Sequence, residues 1–323
     1  MRTLAIVAAL AVVVAFPKSS SADDPPIFLS QWGTEGYDAG ELYIPVRIRF
    51  SPRGTIYVAN LDSPALIQEF TADGHFIRAI GSEGDGPGQY GPTFGMAVAS
   101  DGSLWIADYA NNRVEQFSAS GDFMSSWGTT GSNDGQLYRP TGLAIAPDGT
   151  IFVGEEVNRR VQHFSQEGDF LGKWGSCVPG NCLNPFDMVI DATGSIFLIN
   201  SSVARIEKYS PDGQLLTSWG GVGSAPGQFS NPWGLGLDGL GGLYVADSNN
   251  RRIQKFSVDG QWLCSWGKYG TGSDEFGWPT DIQVDAQGRI CVIDADQAKV
   301  KIFGYGAVPA IPATWGRLKA QYR

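Results

Sequence analysis

Side chains able to act as nucleophiles, bases or metal ligands are scarce in this sequence of 323 residues. Its two histidines, His75 and His163, are too few for a zinc site with three histidine ligands. No Gly-x-Ser-x-Gly motif, in which a sharp turn presents a nucleophilic serine, occurs in the sequence. Carboxylate, amide and aromatic side chains therefore remain as the candidates for binding a ligand or a metal ion.

These candidates are positioned by a repeat that organises the chain. A glycine that closes a short turn recurs every 45 to 48 residues, and an apolar triplet follows it each time. Each unit holds four runs of about five residues, rich in β-branched and aromatic types and separated by Asp-Gly-like turns. Such runs predict short antiparallel strands joined by hairpins. We call the six recurring residues the repeat glycines: Gly54, Gly102, Gly149, Gly194, Gly241 and Gly288.

One four-stranded unit leaves both faces of its sheet exposed, whereas six units stacked radially cover one another. The sixth unit ends after its third strand, at residues 300–303, and a matching fourth strand stands at the front, at residues 27–33. An N-terminal strand that completes the last blade removes two exposed sheet edges. The sequence therefore predicts an all-β fold over residues 23–303. It is a six-bladed β-propeller of four-stranded antiparallel blades, closed by its N-terminal strand.

One copy of the unit is especially regular. It runs from Gly227-Gln228-Phe229 through Ala246-Asp247 to Asn250-Arg251-Arg252, and this pattern resembles the NHL-repeat family. The resemblance extends in the other copies over nearly all of the predicted mature chain. It implies the same propeller fold, which hosts many chemistries and so is nearly silent on function.

The resemblance to NHL-repeat and similar propellers implies three further activities to consider. Calcium-dependent lactonases or esterases would need oxygen ligands at the mouth of the channel. Amidating lyases hold zinc through histidines, and two histidines do not suffice. Members that bind RNA carry a basic face, whereas this chain has a net charge of -10, which argues against nucleic acid as a partner.

The N-terminal segment has the features of a secretory signal peptide, predicted over residues 1–22. Arg2 precedes an apolar run at residues 4–16, and Ser20-Ser21-Ala22 offers small residues for cleavage. An uncleaved anchor or a buried strand is the alternative. No later segment is apolar enough to span a membrane, so we expect a secreted protein. We also expect it to be a monomer. Residues 304–323 are a linker and short basic tail, interpreted as a frayed end or as a secretion or attachment tag.

The cysteines fall into two pairs. Cys177 and Cys182 bracket Val-Pro-Gly-Asn, a sequence that turns tightly, so we expect a secreted protein to join them in a disulfide. A zinc site there lacks two further ligands. Cys264 and Cys291 fall on strands of adjacent blades and are expected to be buried thiols, with a bridge between them as the alternative.

The loops that join successive blades are long and varied, whereas the turns of the opposite face are uniform. Variation confined to one face predicts that the long-loop face is the binding surface. Aromatic residues there either pack beneath the loops or recognise a protein, peptide or carbohydrate ligand. Five of them flank the proline that begins an inner strand: Phe94, Tyr138, Phe186, Trp233 and Trp278.

Departures from the repeat mark a second candidate site. Seven residues before the repeat glycine, three blades have Gly, whereas the others have Arg47, Asp187 and Asp281. This position opens the innermost strand, where side chains approach the channel. One interpretation is an Arg47–Asp281 ion pair that leaves Asp187 over. The other is a site in which these carboxylates, with Asn60 or Asn200, bind calcium through oxygen; no other cofactor is indicated.

Asn60 and Asn200 also belong to a recurring set. Six residues after each repeat glycine stands an acid or amide, and eleven after it stands a cation in five blades. The repetition favours structural pairing over a ring of metal ligands, because chemistry is usually placed by asymmetric substitutions. The sequence thus favours a non-catalytic binding propeller. A calcium-dependent hydrolase of the lactonase or esterase kind is the alternative.

Overall fold

The computed structural model describes residues 24–61, 66–175, 177, 178 and 181–305. The predicted signal peptide and the tail from residue 306 onward lie outside these residues. Six four-stranded antiparallel sheets make up the fold, which confirms the predicted six-bladed propeller. Within the described residues, no helix has the length and apolar character needed to cross a membrane.

The strands of the blades are four to six residues long. In blades 1 to 3 they are, from the channel outward, Pro45–Phe50, Ile56–Asn60, Ile67–Phe70 and Phe76–Ile80; Thr93–Val98, Leu104–Asp108, Arg113–Phe117 and Phe123–Trp127; and Pro140–Ile145, Ile151–Glu155, Arg160–Phe164 and Phe170–Trp174. In blades 4 to 6 they are Pro185–Ile190, Ile196–Asn200, Arg205–Tyr209 and Leu215–Gly220; Pro232–Leu237, Gly242–Asp247, Arg252–Ser257 and Trp262–Trp266; and Pro279–Val284, Ile290–Asp294, Lys299–Gly304 and Ile27–Trp32.

Shorter elements lie in the connections. Two-residue strands pair in two of the blade-joining loops, and two 3₁₀ turns follow second strands. They are Ser82–Glu83 with Gln89–Tyr90, Cys177–Val178 with Asn181–Cys182, Ser248–Asn250 and Ala295–Gln297.

The second strand of each blade is buried on both faces. In Ile56–Asn60, for example, all five residues are buried. A strand inside a single half-exposed sheet would alternate apolar and polar residues, but here the neighbouring blades cover both sides. The core is therefore a set of layers between blades, which explains the continuous apolar triplets of the repeat.

The N-terminal strand closes the ring as predicted. Ile27–Trp32 pairs antiparallel with Lys299–Gly304, and Trp32 lies opposite Val300. The innermost strands of successive blades contact one another, and that of blade 6 contacts that of blade 1. Blade 1 therefore lies next to blades 2 and 6 and faces blade 4 across the channel.

Tryptophans at the ends of the outer strands pack against the next blade. Trp174 of blade 3 stacks on Tyr209 of blade 4, with ring centroids 4.3 Å apart. Gly213 in the same blade has a left-handed φ of +85°, and a Cβ there would collide with Trp174. Glycine is required at this turn both for its backbone conformation and for the space it leaves.

Candidate functional site

The innermost strands bring four charged side chains into the channel. Arg47 and Arg49 come from blade 1, Asp187 from blade 4 and Asp281 from blade 6, and all four are buried. Both arginines face the channel because side chains two residues apart on a strand point to the same side. These four residues, which we call the channel cluster, span the axis of the ring.

Glycine on the neighbouring inner strand makes room for this cluster. A Cβ at Gly234 would lie 2.6 Å from the Cα and from Oδ1 of Asp281. Blade 5 therefore needs a residue without a side chain where blade 6 carries its aspartate. The glycine at this position of blade 5 thus reflects crowding against Asp281.

Arg49 holds the two aspartates together. Its Nη1 lies 2.7 Å from Asp281 Oδ2, and its Nη2 lies 3.3 Å from Asp187 Oδ1. Its Nε donates to the carbonyl of Met96 in blade 2 at 2.7 Å. One guanidinium therefore links four blades through side-chain and backbone acceptors.

Backbone amides complete the hydrogen bonding of both carboxylates. Asp187 Oδ2 accepts from the amide of Leu235 at 2.9 Å. Asp281 accepts from the amides of Ile48 and Ile282, each at 2.9 Å. Every oxygen of the two carboxylates thus has a donor from the protein, as buried charged groups require.

Burial and charge act in opposite directions on the pKa values of these groups. Burial lowers the pKa of Arg49, but attraction to Asp281 and Asp187 outweighs it and leaves that pKa above its ordinary value. Burial raises the pKa of Asp281, against the opposing effect of Arg49 and Arg47. Arg49 is therefore a permanent cation that neutralises carboxylates within the fold.

Arg47 is placed differently from its neighbour. Its Nε donates to the carbonyl of Phe94 and lies 4.0 Å from Asp187 Oδ1, and its Nη1 donates to the carbonyl of Val46 at 3.1 Å. The guanidinium carbon lies 5.3 Å from the ring centroid of Phe186. The Arg47–Asp281 pair that the sequence allowed is replaced by the Arg49–Asp281 pair. Arg49 lies two residues beyond the position at which the blades differ in sequence, so that difference does not reveal it.

Four of the five candidate aromatic residues meet above the channel cluster. The ring centroids of Phe94 and Phe186 are 5.9 Å apart, those of Phe186 and Trp233 4.9 Å, and those of Trp233 and Trp278 4.7 Å. The four come from blades 2, 4, 5 and 6, and each is half-buried. We call them the aromatic cluster. They close the channel at its mouth and present ring surface to solvent.

Tyr138 lies apart from this cluster. Its side chain is 40% exposed, and its backbone amide is held by Glu155 Oε2 at 2.9 Å. Tyr109, which the sequence did not single out, extends the cluster instead, with its ring centroid 5.1 Å from that of Phe94. Arg139 lies over the Tyr109 ring at 5.4 Å and adds a cation at the rim.

The predicted calcium ligands do not form one oxygen-lined site. Asn60 Oδ1 accepts from the amide of Tyr43 at 3.2 Å, and Asn200 Oδ1 accepts from the amide of Asn184 at 3.1 Å. The guanidinium of Arg49 bonds to both aspartates, where it repels a divalent cation. Among the described residues, no group of three His, Cys, Asp or Glu side chains is arranged to hold a metal ion. The four residues present therefore do not fit calcium, which takes six to eight oxygen ligands.

The recurring acids instead fasten the blade-joining loops. Asp247 Oδ1 accepts from the amide of Ser230 at 2.8 Å, and Asp247 Oδ2 lies 2.7 Å from Arg252 Nε. Glu155 pairs with Arg160 at 2.6 Å in the same way. Blade 6 departs from the predicted pairing, because its acid, Asp294, lies 3.2 Å from Lys301 Nζ, while Lys299 donates to the carbonyl of Gly33.

Neither histidine lies at the mouth of the channel. His75 is 80% exposed on an outer turn, with Nε2 3.3 Å from Asp73 Oδ2. His163 is on the third strand of blade 3, where its ring meets that of Phe152 edge to face at 5.3 Å. Neither imidazole contacts the channel cluster or the aromatic cluster in the described part of the chain.

The cysteines occupy two environments. Cys177 and Cys182 form a disulfide across the short ladder between blades 3 and 4, as predicted. Cys264 and Cys291 are buried thiols, and burial raises the pKa of Cys291 to about 12. A thiol of that kind stays protonated and unreactive near neutral pH.

Fold and site together define this chain as a six-bladed β-propeller whose channel is filled by charged side chains and capped by aromatic ones. Residues 229–256, which span most of blade 5, match the family model described as NHL repeat. The resemblance to NHL-repeat propellers is thereby confirmed. The chain matches none of the curated proteins with which it was compared.

Solved structures share the fold at low sequence identity. A streptogramin B lyase is 13% identical, with 85% of this chain and 96% of that one covered and a TM-score of 0.61. A catalytically inactive virginiamycin B lyase from Staphylococcus aureus with quinupristin is 15% identical, with coverage of 86% and 88% and a TM-score of 0.59. An auxiliary nutrient binding protein from Bacteroides ovatus is 13% identical, with coverage of 80% and 68% and a TM-score of 0.62. Such likenesses establish the fold alone, and they include both enzymes and a binding protein.

Proposed function

We propose that this chain is a non-catalytic binding propeller whose ligand, a peptide, protein or carbohydrate, rests on the aromatic cluster. The observation that carries the proposal is the convergence of four partly exposed rings from four blades at one end of the channel. Large aromatic side chains supply contact area at a low entropic cost, so they dominate recognition surfaces. The long, varied loops around this mouth supply the rim.

The polar groups beneath the rings favour binding over catalysis. Both carboxylates of the channel cluster are already ion-paired with Arg49 and hydrogen-bonded to the backbone, so neither is poised as a general base. The histidines lie elsewhere, and burial raises the pKa of the Cys291 thiol. The residues at this mouth therefore suit ligand binding, as named for the nutrient binding protein, better than the lyase chemistry named for the other structural neighbours.

A glycan and peptide array probed with the labelled protein tests the proposal. We expect wild-type protein to bind a subset of the array, and the variants Trp233→Ala and Trp278→Ala to lose that binding while keeping their thermal melts. Trp262→Ala is the matched control, because Trp262 is 38% exposed on the outer strand of blade 5. Equal loss in Trp262→Ala, or binding unaffected by the first two variants, contradicts a ligand site on the aromatic cluster.

A calcium-dependent hydrolase of the lactonase or esterase kind is the alternative function. It would require Arg49 to leave both carboxylates, with which it is ion-paired, so the channel cluster favours the binding propeller. Thermal melting during a calcium titration separates the two functions. A large rise in melting temperature that disappears in the Asp187→Ala and Asp281→Ala double variant favours the hydrolase; an unchanged melt favours the binding propeller.

The protein is further proposed to act outside the cytoplasm, as a monomer that binds no nucleic acid. The predicted signal peptide, the Cys177–Cys182 disulfide and the net charge of -10 support this proposal. Intact mass of the exported protein tests it, with Asp23 expected as the first residue. Light scattering on the same sample is expected to give the mass of one chain, and a dimer mass would contradict the monomer.

A further inference from the structure

Arg47 carries a buried hydrogen-bond donor that no described residue accepts. Its side chain is fully buried, yet Nη2 has no hydrogen-bond partner. A buried donor without an acceptor is destabilising, and more so when it carries charge. The position of this donor therefore points to an acceptor supplied from outside the chain.

The carboxylates nearby do not supply that acceptor. Both oxygens of Asp187 and both of Asp281 already accept from Arg49 or from backbone amides. The closest carboxylate oxygen to Arg47 is Asp187 Oδ1, 4.0 Å from Nε. The positive charge of Arg47 thus lacks a carboxylate partner at hydrogen-bonding distance.

The guanidinium of Arg47 lies directly beneath the aromatic cluster. It donates to the carbonyl of Phe94 and sits 5.3 Å from the ring of Phe186. Arg139 adds a second guanidinium at the rim, over Tyr109, whose hydroxyl donates to Glu156. Rings and a buried cation are therefore stacked along the axis of the mouth.

We propose that the ligand of this mouth is an aromatic carboxylate, as presented by a peptide that ends in an aromatic residue. Its ring packs against the aromatic cluster, and its carboxylate accepts from Nη2 of Arg47. This inference rests on the proposed binding function and narrows it to one chemistry. Capture of a terminal carboxylate is a recurring mode of peptide recognition, and a carboxylate supplies the acceptor that Nη2 of Arg47 lacks.

The geometry of the rings favours an aromatic group over a sugar. Phe186 and Trp233 meet at 64° and Trp233 and Trp278 at 67°, which is the edge-to-face arrangement that aromatic rings prefer. Another ring extends such a cluster in the same manner. Access to Arg47 requires Phe94 or Phe186 to rotate aside.

A matched pair of probes tests the inference on the purified wild-type protein. N-acetylphenylalanine carries the carboxylate, and N-acetylphenylalanine amide is its neutral counterpart. We expect saturation-transfer NMR and calorimetry to show the acid binding at least tenfold more tightly than the amide. Equal affinities, or no binding of either probe, overturn the inference.

Variants locate the preference. Arg47→Met keeps the aliphatic stem and is expected to abolish the preference for the acid while leaving weak binding of the amide. Lys173→Met, a change at a side chain that is 46% exposed on the outer strand of blade 3, is expected to alter the preference less than threefold. If Arg47→Met does not fold, the comparison of acid and amide on wild-type protein still decides.

A third probe separates failure of this inference from failure of the proposed function. Galacturonate carries a carboxylate on a sugar ring. Arg47-dependent binding of galacturonate without binding of N-acetylphenylalanine overturns the assignment to an aromatic acid. Array ligands that depend on Trp233 but show no preference for acids overturn this inference and leave the binding function standing, whereas array binding that ignores Trp233 removes both.

Discussion

Arg49 and Asp187 belong to opposite blades and meet inside the channel, with Nη2 of the arginine 3.3 Å from Oδ1 of the aspartate. The same guanidinium reaches Asp281 of blade 6. The propeller is therefore braced through its centre as well as through the sheets around it.

Loss of this brace is expected to be costly. Arg49→Met leaves two buried carboxylates without the guanidinium that bonds to both and should lower the free energy of unfolding by about 3–5 kcal/mol. Replacing the carboxylates as well, with Asp187→Asn and Asp281→Asn, should restore most of the loss. Urea unfolding of the purified variants measures both effects.

The exposed pair of Lys173 and Asp134 is the control for that experiment. Their side chains are 46% and 51% exposed, so Lys173→Met should change the free energy of unfolding by less than about 1 kcal/mol. An Arg49→Met variant that is no less stable than Lys173→Met would show that the channel cluster does not brace the ring.

Glu115 of blade 2 should make stability depend on pH. Burial raises its pKa to about 7 despite the attraction of Arg113. The folded protein therefore holds this proton more tightly than the unfolded chain. The resulting stabilisation is complete below the ordinary value of 4.5 and is lost as the pH rises through about 7. Glu115→Gln should remove this loss and raise stability at pH 8 by roughly 1–3 kcal/mol, with little change at pH 4.5.

Blades 3 and 4 provide the comparison for Glu115. Gln162 holds the same position in blade 3, where its amide donates to the carbonyl of Gln136 at 2.7 Å, so an amide fits this site. Glu207 holds it in blade 4 and accepts from Asn200 at 3.0 Å and from the Tyr209 hydroxyl at 2.6 Å. Glu207→Gln should therefore not stabilise the protein. Chemical unfolding at several pH values measures the free energy of unfolding of both variants. If the free energy of Glu115→Gln depends on pH as steeply as that of wild-type protein, Glu115 is not the cause of the pH dependence.

Two glycine substitutions separate backbone strain from steric collision. Gly54 and Gly213 have nearly the same left-handed φ, +83° and +85°, but a Cβ at Gly54 meets nothing within 4 Å. Gly54→Ala should cost about 1–2 kcal/mol for the left-handed conformation alone. Gly213→Ala should cost roughly 1–3 kcal/mol more, because the methyl group displaces Trp174. If the two variants lower the melting temperature equally, Trp174 does not interlock blades 3 and 4.

The disulfide between Cys177 and Cys182 should contribute stability without affecting the mouth. A short closed loop of this kind is worth about 2 kcal/mol by the loop-entropy relation. The Cys177→Ser and Cys182→Ser double variant should therefore melt earlier than wild-type protein, and dithiothreitol should lower the wild-type melt to match. A further drop when dithiothreitol is added to the double variant would mean that other thiols are involved.

The fold can be predicted from the sequence because the turn residues that separate its strands recur at regular intervals. Six repeat glycines and a tryptophan strand displaced to the N-terminus specify both the number of blades and the way in which they close. Each hairpin is determined locally by its turn residues, so it can be predicted from a single sequence.

The site is harder to predict because it is assembled from side chains that are distant in sequence. Phe94, Phe186 and Trp233 share one position, eight residues before the repeat glycine, and all three reach the axis. Tyr138 stands three positions earlier, in the loop, and lies apart. A comparison of the blades at the position of Arg47 does not reveal Arg49. That residue lies two positions further along, on the same side of the strand.

The pairing of Ile27–Trp32 with Lys299–Gly304 bears on how the molecule is made. A chain that emerges from its N-terminus must carry its first strand unpartnered until almost all of the remaining blades have been synthesised. The pairing of this strand with the last blade is then a late, long-range contact of the kind that slows folding. Until it forms, a sheet edge stays open to wrong partners. Closure of the ring is therefore expected to be among the last steps of folding.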